Sequence, residues 1–97
     1  MMTQTRIPRD KLVQAAEIVS RVPFKRMIGK TKVRPLVYYR QALMAALRYH
    51  TQMSSVQIGD FMGCMDHTTV LHAARVCKAC PKRAALVAAI YEEATRL

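Results

Sequence analysis

The stretch GCMDHTTVLHAARV, residues 63–76, decides the fold because it contains both a turn and the start of a helix. A glycine is followed by Asp66, His67, Thr68 and Thr69, and then by apolar residues at helical spacing. Asp66 suits the N-cap position, since its carboxylate can accept hydrogen bonds from backbone N–H groups two or three residues later. The pattern therefore predicts a turn, then a helix whose first residues are polar.

The residues before this turn predict a second, shorter helix. Residues 55–62 follow Ser54, which has Gln57 three positions later, and this is the spacing of a capping box. A short helix, a glycine-containing turn and a further helix over residues 67–78 have the order of a helix-turn-helix. The sequence therefore predicts this motif at about residues 55–78.

The second helix of the motif has two sides of different character. Small and apolar residues three or four apart are expected to face the core: Val70, Ala74 and Cys77. Polar residues share another face: Thr68, His72 and Arg75, with Thr69 and Val76 beside them. Helix-turn-helix proteins place the first residues of this helix in the major groove of DNA. The pattern therefore indicates that the polar face contacts bases.

The N-terminal third of the chain predicts two helices and a basic loop. A first helix, Arg9 to Arg21, ends before Pro23 and carries an apolar stripe: Leu12, Ala16 and Val19, with Val13 and Ile18 beside them. The segment FKRMIG predicts a short second helix that ends at Gly29, a common C-terminal position for glycine. The basic loop KTKVR follows.

Two proline residues mark the starts of the remaining helices. Pro35 suits the first turn of a helix that stops near Thr51. The residues that share one face of this helix are Leu36, Tyr39, Leu43 and Leu47. This helix also carries tyrosines that could stack on bases, although core packing is expected for at least two of them: Tyr38, Tyr39 and Tyr49. Pro81 begins the last helix, whose apolar face carries Leu86, Ala89, Ile90 and Leu97. The fold expected is a single domain over residues 1–97, a compact all-α bundle of five or six helices.

The charge of the chain indicates a polyanionic partner. Sixteen Lys and Arg residues against six Asp and Glu residues give a net charge of +10 and a pI near 10.2. No acid lies between Glu17 and Asp60, whereas eight of the cations do. Nucleic-acid phosphates are the simplest partner for such a segment. A membrane surface is less favoured, because the basic residues do not lie opposite a broad apolar helix face.

Signals for membrane insertion, secretion and nucleotide binding are weak in this sequence. No apolar run reaches the roughly 18 residues that cross a bilayer, and the N-terminus lacks the apolar centre of a signal peptide, so a cytoplasmic, nucleoid-associated protein is expected. Gly29-Lys30-Thr31 matches the last three residues of the phosphate-binding loop motif. That motif also requires a glycine five residues before Gly29, where this sequence has Phe24. We therefore expect no nucleotide and no other cofactor.

Zinc binding and catalysis are also disfavoured. Cys77 and Cys80 have ligand spacing, with Cys64, His67 and His72 as further candidates, but His72 and Cys77 face different ways on one helix. Cys77 is better explained as a small core residue. No set of nucleophile, base and orienting group is visible, so no enzymatic activity is expected.

The segment from Arg40 to Arg75 resembles the C-terminal DNA-binding domain, domain IV, of the bacterial chromosomal replication initiator DnaA family. The resemblance has no gaps here and extends more loosely from about Arg9. The residues that carry it are Arg40-Gln41, Ile58-Gly59-Asp60, Gly63 and the run Asp66-His67-Thr68-Thr69-Val70-Leu71-His72-Ala73. It implies a Trp-repressor-like helix-turn-helix that binds, as a monomer, asymmetric double-stranded boxes of the TTATCCACA type.

The resemblance also implies roles for individual residues. Asp66, His67, Thr68 and Thr69 would read bases in the major groove: Asp can accept from a cytosine amino group, Thr can place its methyl against a thymine methyl, and His can donate or accept at a purine edge. In the basic loop, Lys32 stands where the family places an arginine in the A/T-rich minor groove, and Arg34 follows two residues later as the alternative. Contacts to phosphates, which fix register, are assigned to Arg40, Gln41, Arg48, His72, Arg75 and Lys30.

The sequence departs from the family pattern near the turn. Cys64-Met65 replaces a typical Gly-Arg, and Val76 replaces a basic residue, so the affinity or the preferred box is expected to differ. Our interpretation is a stand-alone, sequence-specific DNA-binding domain that acts as a replication-linked factor, a transcriptional regulator or a competitor of a full-length initiator. The alternatives are a protein-interaction module that retains the fold and a sequence-independent nucleic-acid binder.

Overall fold

The computed structural model describes residues 7–28 and 33–97. Within these ranges the chain forms six helices and no strands. They are α1 (Arg9–Ser20), α2 (Phe24–Met27), α3 (Arg34–His50), α4 (Ser55–Phe61), α5 (His67–Ala79) and α6 (Pro81–Arg96). The predicted all-α bundle of five or six helices is confirmed.

Helix α3 is the centre of the bundle, because each of the other five helices packs against it. Its buried residues are Leu36 and the continuous run from Ala42 to Leu47. Six consecutive buried residues cover every side of a helix, so the middle of α3 is surrounded by protein. Truncation of a core residue such as Leu43 to alanine would cost about 2–5 kcal/mol of stability.

Helix α1 packs the predicted stripe against the core except for Ile18, since Val13 and Val19 are partly buried beside the buried residues. Leu12, Ala15 and Ala16 are buried, whereas Ile18 is 46% exposed and does not belong to the stripe. Ile18 lies about 200° around the helix from Ala16, so it faces solvent when Ala16 faces the core. The helix ends at Ser20, because the left-handed backbone of the next residue, Arg21 (φ 60°), stops the hydrogen-bonding ladder.

A side chain joins α1 to α2. The Glu17 carboxylate accepts a 2.8 Å hydrogen bond from the backbone N–H of Phe24, the first residue of α2. Helix α2 ends at Met27, two residues before the predicted end, because Ile28 already has an extended backbone (φ −78°, ψ 166°). Gly29, the predicted end, lies outside the described residues.

The apolar face of α6 also differs from the prediction. The buried residues are Val87, Ile90 and Ala94, which recur every three or four positions and face α1, α3 and α5. Of the predicted residues, Ile90 belongs to this stripe, and Leu86 packs at its edge. Ala89 is half-buried, and Leu97 is 41% exposed because it follows the last helical residue. The α6 face is therefore rotated from the predicted one.

Candidate nucleic-acid interface

Helix α4 begins with the predicted capping box. The Ser54 hydroxyl accepts a 3.1 Å hydrogen bond from the backbone N–H of Gln57, and the Gln57 side chain accepts a 2.9 Å bond from the backbone N–H of Ser54. These two bonds satisfy donors that a helix start leaves open. The start of the helix-turn-helix is therefore fixed by local sequence.

The turn between α4 and α5 depends on two glycines. Gly63 has a left-handed backbone (φ 96°), and Cys64 next to it has φ 62° although it carries a side chain. The Met65 N–H donates a 2.8 Å hydrogen bond to the carbonyl of Gly59, which brings the turn back onto α4. A Cβ atom at Gly59 would overlap the Met65 carbonyl oxygen, so this close approach requires glycine.

Asp66 is the N-cap of α5, as predicted. Its carboxylate accepts a 3.4 Å hydrogen bond from the backbone N–H of Thr68, and its Oδ1 lies 3.0 Å from Nδ1 of His67. The hydroxyl and then the backbone N–H of Thr68 lower the pKa of Asp66, with a smaller contribution from the charge of His67. The carboxylate is therefore ionised at neutral pH and placed at the positive end of the α5 dipole.

The two sides of α5 divide as the sequence predicted. Val70, Ala74 and Cys77 are buried, and so is Ala73. The residues predicted to contact DNA are all exposed: Asp66, His67, Thr68, Thr69, His72 and Arg75. The structure therefore brings the four predicted base-contacting residues of α5 together, in consecutive positions at the exposed start of one helix.

The predicted phosphate contacts of α3 lie in different environments. Arg34 and Arg48 are exposed, whereas Arg40 and Gln41 are half-buried. Burial lowers the pKa of Arg40, which still leaves its guanidinium charged at neutral pH. Arg34, Gln41 and Arg48 recur every seven residues, so they follow one side of α3, and Arg40 lies on an adjacent side. Lys30 and Lys32 lie outside the described residues.

The three tyrosines of α3 pack differently from the prediction. Only Tyr39 packs against the core, so the expectation of at least two core tyrosines on α3 is wrong. Tyr38 is 39% exposed, and the Arg83 guanidinium lies 4.7 Å from the centre of its ring. Tyr49 is 47% exposed, and its hydroxyl donates a 2.9 Å hydrogen bond to the Ala74 carbonyl. Contacts with α5 and α6 hold these two rings at the surface.

The described part of the chain holds no group of three or more His, Cys, Asp or Glu residues arranged for a metal ion. The cysteines are free thiols: Cys64 is exposed, Cys77 is buried and Cys80 is half-buried. Burial raises the pKa of Cys77. The backbone N–H of Arg83 is the main cause of a lowered pKa at Cys80. None of the described helices is both long enough and apolar enough to cross a bilayer.

Sequence reasoning missed two residues that position this surface, Gly59 and Tyr49. A glycine inside a predicted helix was the available signal for Gly59, since glycine there is unfavourable unless close packing requires it. The contact between Asp66 and His67 was also missed. Its signal is the adjacency of an N-cap acid and a histidine.

Comparisons with known proteins agree with this geometry. A family model described as the bacterial DnaA protein helix-turn-helix matches residues 10–76. The chromosomal replication initiator protein DnaA of Nitrosomonas europaea is 49% identical over 49 residues, which are 50% of this chain and 11% of that protein. The corresponding protein of Bacteroides fragilis is 43% identical over 49 residues, 50% of this chain and 10% of that protein.

A longer alignment is found with the chromosomal replication initiator protein DnaA of Neisseria meningitidis serogroup C. It is 33% identical over 69 residues, which are 71% of this chain and 13% of that protein. The chain thus spans only about a tenth of the length of the curated relatives it matches. The matched family region includes the turn and the exposed first residues of α5.

Proposed function

Because the chain belongs to the bacterial DnaA helix-turn-helix family, a DNA-binding family, we propose that it binds double-stranded DNA sequence-specifically at sites resembling the DnaA box. The observation that carries this proposal is the exposed, polar first turn of α5, which a capped helix and an ordered turn present to solvent. A helix start of this kind fits the major groove. The domain would therefore act by binding and not by catalysis.

Base reading is assigned to the four residues at the start of α5. The methyl groups of Thr68 and Thr69 can contact thymine methyl groups, and the hydroxyls can bond to base edges. Asp66 and His67 supply the hydrogen-bonding groups that distinguish one base pair from another. All four side chains are exposed, so the contact needs no rearrangement of the core.

Phosphate contacts are assigned to residues around this turn. They are Arg40, Gln41, Arg48, His72, Arg75 and Lys30. The absence of acidic residues between Glu17 and Asp60 leaves the α3 cations without acidic competitors on their own helix. Either Lys32 or Arg34 would enter the adjacent A/T-rich minor groove, where a narrow groove attracts cations. Each copy would bind one site as a monomer.

The cellular role proposed is competition with a full-length initiator, or regulation of replication or transcription from the same boxes. The relatives are named chromosomal replication initiator proteins, and this chain aligns only with about a tenth of each. A protein that occupies a box through this domain would exclude a full-length initiator from the same site. The protein would work in the cytoplasm, associated with the nucleoid.

The central test compares specific and random duplexes. Sites are first selected from a random pool at physiological salt, with TTATCCACA as the expected core. Thr68→Ala should then weaken binding to the selected duplex by about 1–3 kcal/mol and relax discrimination at one or two base pairs. Binding to random duplex should change little. Thr95→Ala, an exposed threonine on α6 that bonds to its own helix, is the matched control.

The outcome of this test separates the proposal from its alternatives. Equal losses on specific and random duplexes would favour a sequence-independent binder. Weak binding to all duplexes, with little response to salt, would favour a protein-interaction module. For the cellular role, the 97-residue chain should displace a full-length initiator from one box in a footprint, and Thr68→Ala should displace it less. Failure of the wild-type chain to displace it would end the competitor proposal.

A further inference from the structure

Two cysteines lie where α5 ends and α6 begins. Cys77 is in the last turn of α5, and Cys80 is both the C-cap of α5 and the N-cap of α6. The Cys80 N–H donates a 3.0 Å hydrogen bond to the Val76 carbonyl, so the helical ladder reaches Cys80. Residues three apart on a helix have Cα atoms about 5 Å apart, inside the range of about 4.4–6.8 Å that a disulfide spans. The backbone therefore places these two thiols within bridging reach of each other.

The two thiols differ in accessibility and in acidity. Cys77 is 1% exposed and belongs to the core, whereas Cys80 is half-buried. Burial raises the pKa of Cys77; the charge of Arg83 opposes this rise and the charge of the Cys80 thiolate adds to it. The pKa of Cys80 is lowered, first by the backbone N–H of Arg83 and less by the backbone N–H of Lys82 and the charges of both side chains. The thiolate is the reactive form of cysteine, so Cys80 is the thiol that reacts first.

A surface cavity of about 350 Å³ lies beside Cys80. Its other lining residues are Tyr38, Lys82, Arg83 and Leu86, and none of them is acidic. The Arg83 guanidinium lies 4.7 Å from the centre of the Tyr38 ring, and Lys82 is exposed. Two cations at one cavity attract small anions and repel small cations. The cavity therefore favours a small molecule that carries carboxylates, next to the more reactive of the two thiols.

We propose that Cys77 and Cys80 form a redox-active dithiol, which exchanges with a small disulfide that carries carboxylates and closes to an internal disulfide. The Cys80 thiolate attacks one sulfur of the small disulfide, whose S–S bond breaks; one half leaves as a thiolate and the other half stays in a mixed disulfide on Cys80. Cys77 then gives its proton to solvent and attacks the Cys80 sulfur, which releases the second thiolate. The protein loses two electrons, and the small disulfide is reduced to two thiols. This activity does not depend on DNA binding.

Closure of the internal disulfide needs only a small movement at the end of α5. Cβ atoms three residues apart on a helix are about 5–6 Å apart, whereas a disulfide holds them about 3.5–4.5 Å apart. Cys80 has already left the helical backbone (φ −103°, ψ 117°), so the last turn can tighten there without disturbing the turns before it. Burial keeps Cys77 from external disulfides and leaves it the sulfur bound to Cys80 as its target. A bridge that requires such a movement is easily reduced, as reversible exchange requires.

The first experiment identifies the product by mass. The full-length chain carries Cys64→Ser, which removes the exposed thiol of the turn, and is treated with oxidised glutathione. The expected product has lost two hydrogens and carries no glutathione, and its peptide map joins Cys77 to Cys80. Cys77→Ala in the same background should instead accumulate one glutathione on Cys80, because the second step has no thiol. Cys80→Ser should leave Cys77 unmodified, because Cys77 is buried.

The second experiment tests the charge of the small disulfide. Cystamine has the same S–S bond as oxidised glutathione but carries ammonium groups in place of carboxylates. Lys82→Gln should lower the ratio of the rate with oxidised glutathione to the rate with cystamine by about threefold to fivefold. Taking this ratio cancels any change in the ionisation of Cys80. Arg96→Gln removes the same charge from the far end of α6 and should leave the ratio unchanged.

Each other outcome contradicts a defined part of the proposal. A Cys64→Ser protein that keeps glutathione on Cys80, forms a disulfide between two chains or does not react would overturn the redox-active dithiol. Equal changes of the rate ratio in Lys82→Gln and Arg96→Gln would overturn the choice of a disulfide with carboxylates. If Cys77→Ala loses its helical content by circular dichroism, the mass and peptide map of the Cys64→Ser protein still decide the question.

Discussion

The hydroxyl of Tyr49, near the end of α3, donates a 2.9 Å hydrogen bond to the backbone carbonyl of Ala74, in the middle of α5. The bond joins residues 25 positions apart and connects the central helix to the helix proposed to enter the groove. Ala74 itself is buried against the core. A bond to the backbone resists rotation and sliding of α5, whatever side chains α5 carries. The orientation of the proposed reading face is therefore set from α3.

The first prediction concerns this bond. Tyr49→Phe keeps the ring and removes the hydroxyl, so it should lower the free energy of unfolding by about 1 kcal/mol. Specific DNA binding should weaken as well, because α5 loses one restraint. The control is Tyr38→Phe, which keeps the ring beneath Arg83 and should leave stability within about 0.5 kcal/mol. Urea unfolding measures both variants, and equal effects would show that the Tyr49 bond does not hold α5.

The second prediction concerns the glycine inside α4. Gly59→Ala adds a Cβ that overlaps the Met65 carbonyl oxygen, which belongs to the backbone and cannot move without shifting the turn. Alanine favours helices over glycine by up to about 1 kcal/mol, but we expect the overlap to outweigh this gain and to destabilise the protein by about 1–3 kcal/mol. Val56→Ala, at an exposed position of the same helix, should cost little.

Thermal and urea unfolding of the two α4 variants check this expectation. DNA binding provides a second measurement, because displacement of the turn would move Asp66 and the residues after it. A Gly59→Ala protein that is as stable as wild type and binds the selected duplex normally would show that α4 and the turn can separate at low cost.

The starts of the helices could be predicted because their signals are local. Ser54 and Gln57 bond within one turn, Asp66 caps the helix that it precedes, and Pro35 and Pro81 have a backbone suited to the first helical turn. These interactions involve residues at most three positions apart. They are therefore recognisable from the sequence without knowledge of how the helices pack.

The faces of the helices were less predictable because they depend on packing. Ile18 and Leu97 are apolar but exposed, while Ala15 and Val87 are buried. Where alanines alternate with larger apolar residues along a helix, more than one apolar stripe can be drawn on its surface. The angle at which the helix packs against its neighbours decides which of these stripes is buried. The bond from Tyr49 to Ala74 has the same origin, since no local pattern connects residues 25 positions apart.

The third prediction concerns pH and Asp66. Hydrogen bonds from Thr68 lower the pKa of this carboxylate in the folded protein, so the cap contributes stability above the unfolded pKa of about 3.9. That contribution should be lost as the pH falls through the lower folded pKa. Asp66→Asn keeps a capping side chain that does not titrate in this range. Urea midpoints measured from about pH 6 to pH 2 should fall more steeply for wild type, and parallel curves would contradict the assignment.

The fourth prediction concerns pH and His50, whose ring centre lies 4.3 Å from that of Tyr91. Burial lowers the pKa of His50, so the unfolded chain takes up a proton more readily than the folded one. Stability should therefore decrease as the pH falls below the unfolded value of about 6.5, until the lower folded pKa is passed. His50→Phe keeps a ring against Tyr91 and removes the titration. Its stability should vary less between about pH 7 and pH 5, whereas an unchanged slope would exclude His50 as the cause.

The fifth prediction concerns the proposed phosphate contacts on α3. Arg48 is exposed on the side of the helix that also carries Arg34, and neutralising one phosphate contributes about 0.9 to the slope of log affinity against log salt. Arg48→Ala should therefore weaken binding to selected and random duplexes alike and flatten that slope by about one unit. Arg96→Ala removes the same charge from the end of α6, where the guanidinium lies 3.4 Å from Glu93, and should leave the slope unchanged. If both variants flatten the slope equally, net charge explains the effect and Arg48 makes no defined contact with the DNA backbone.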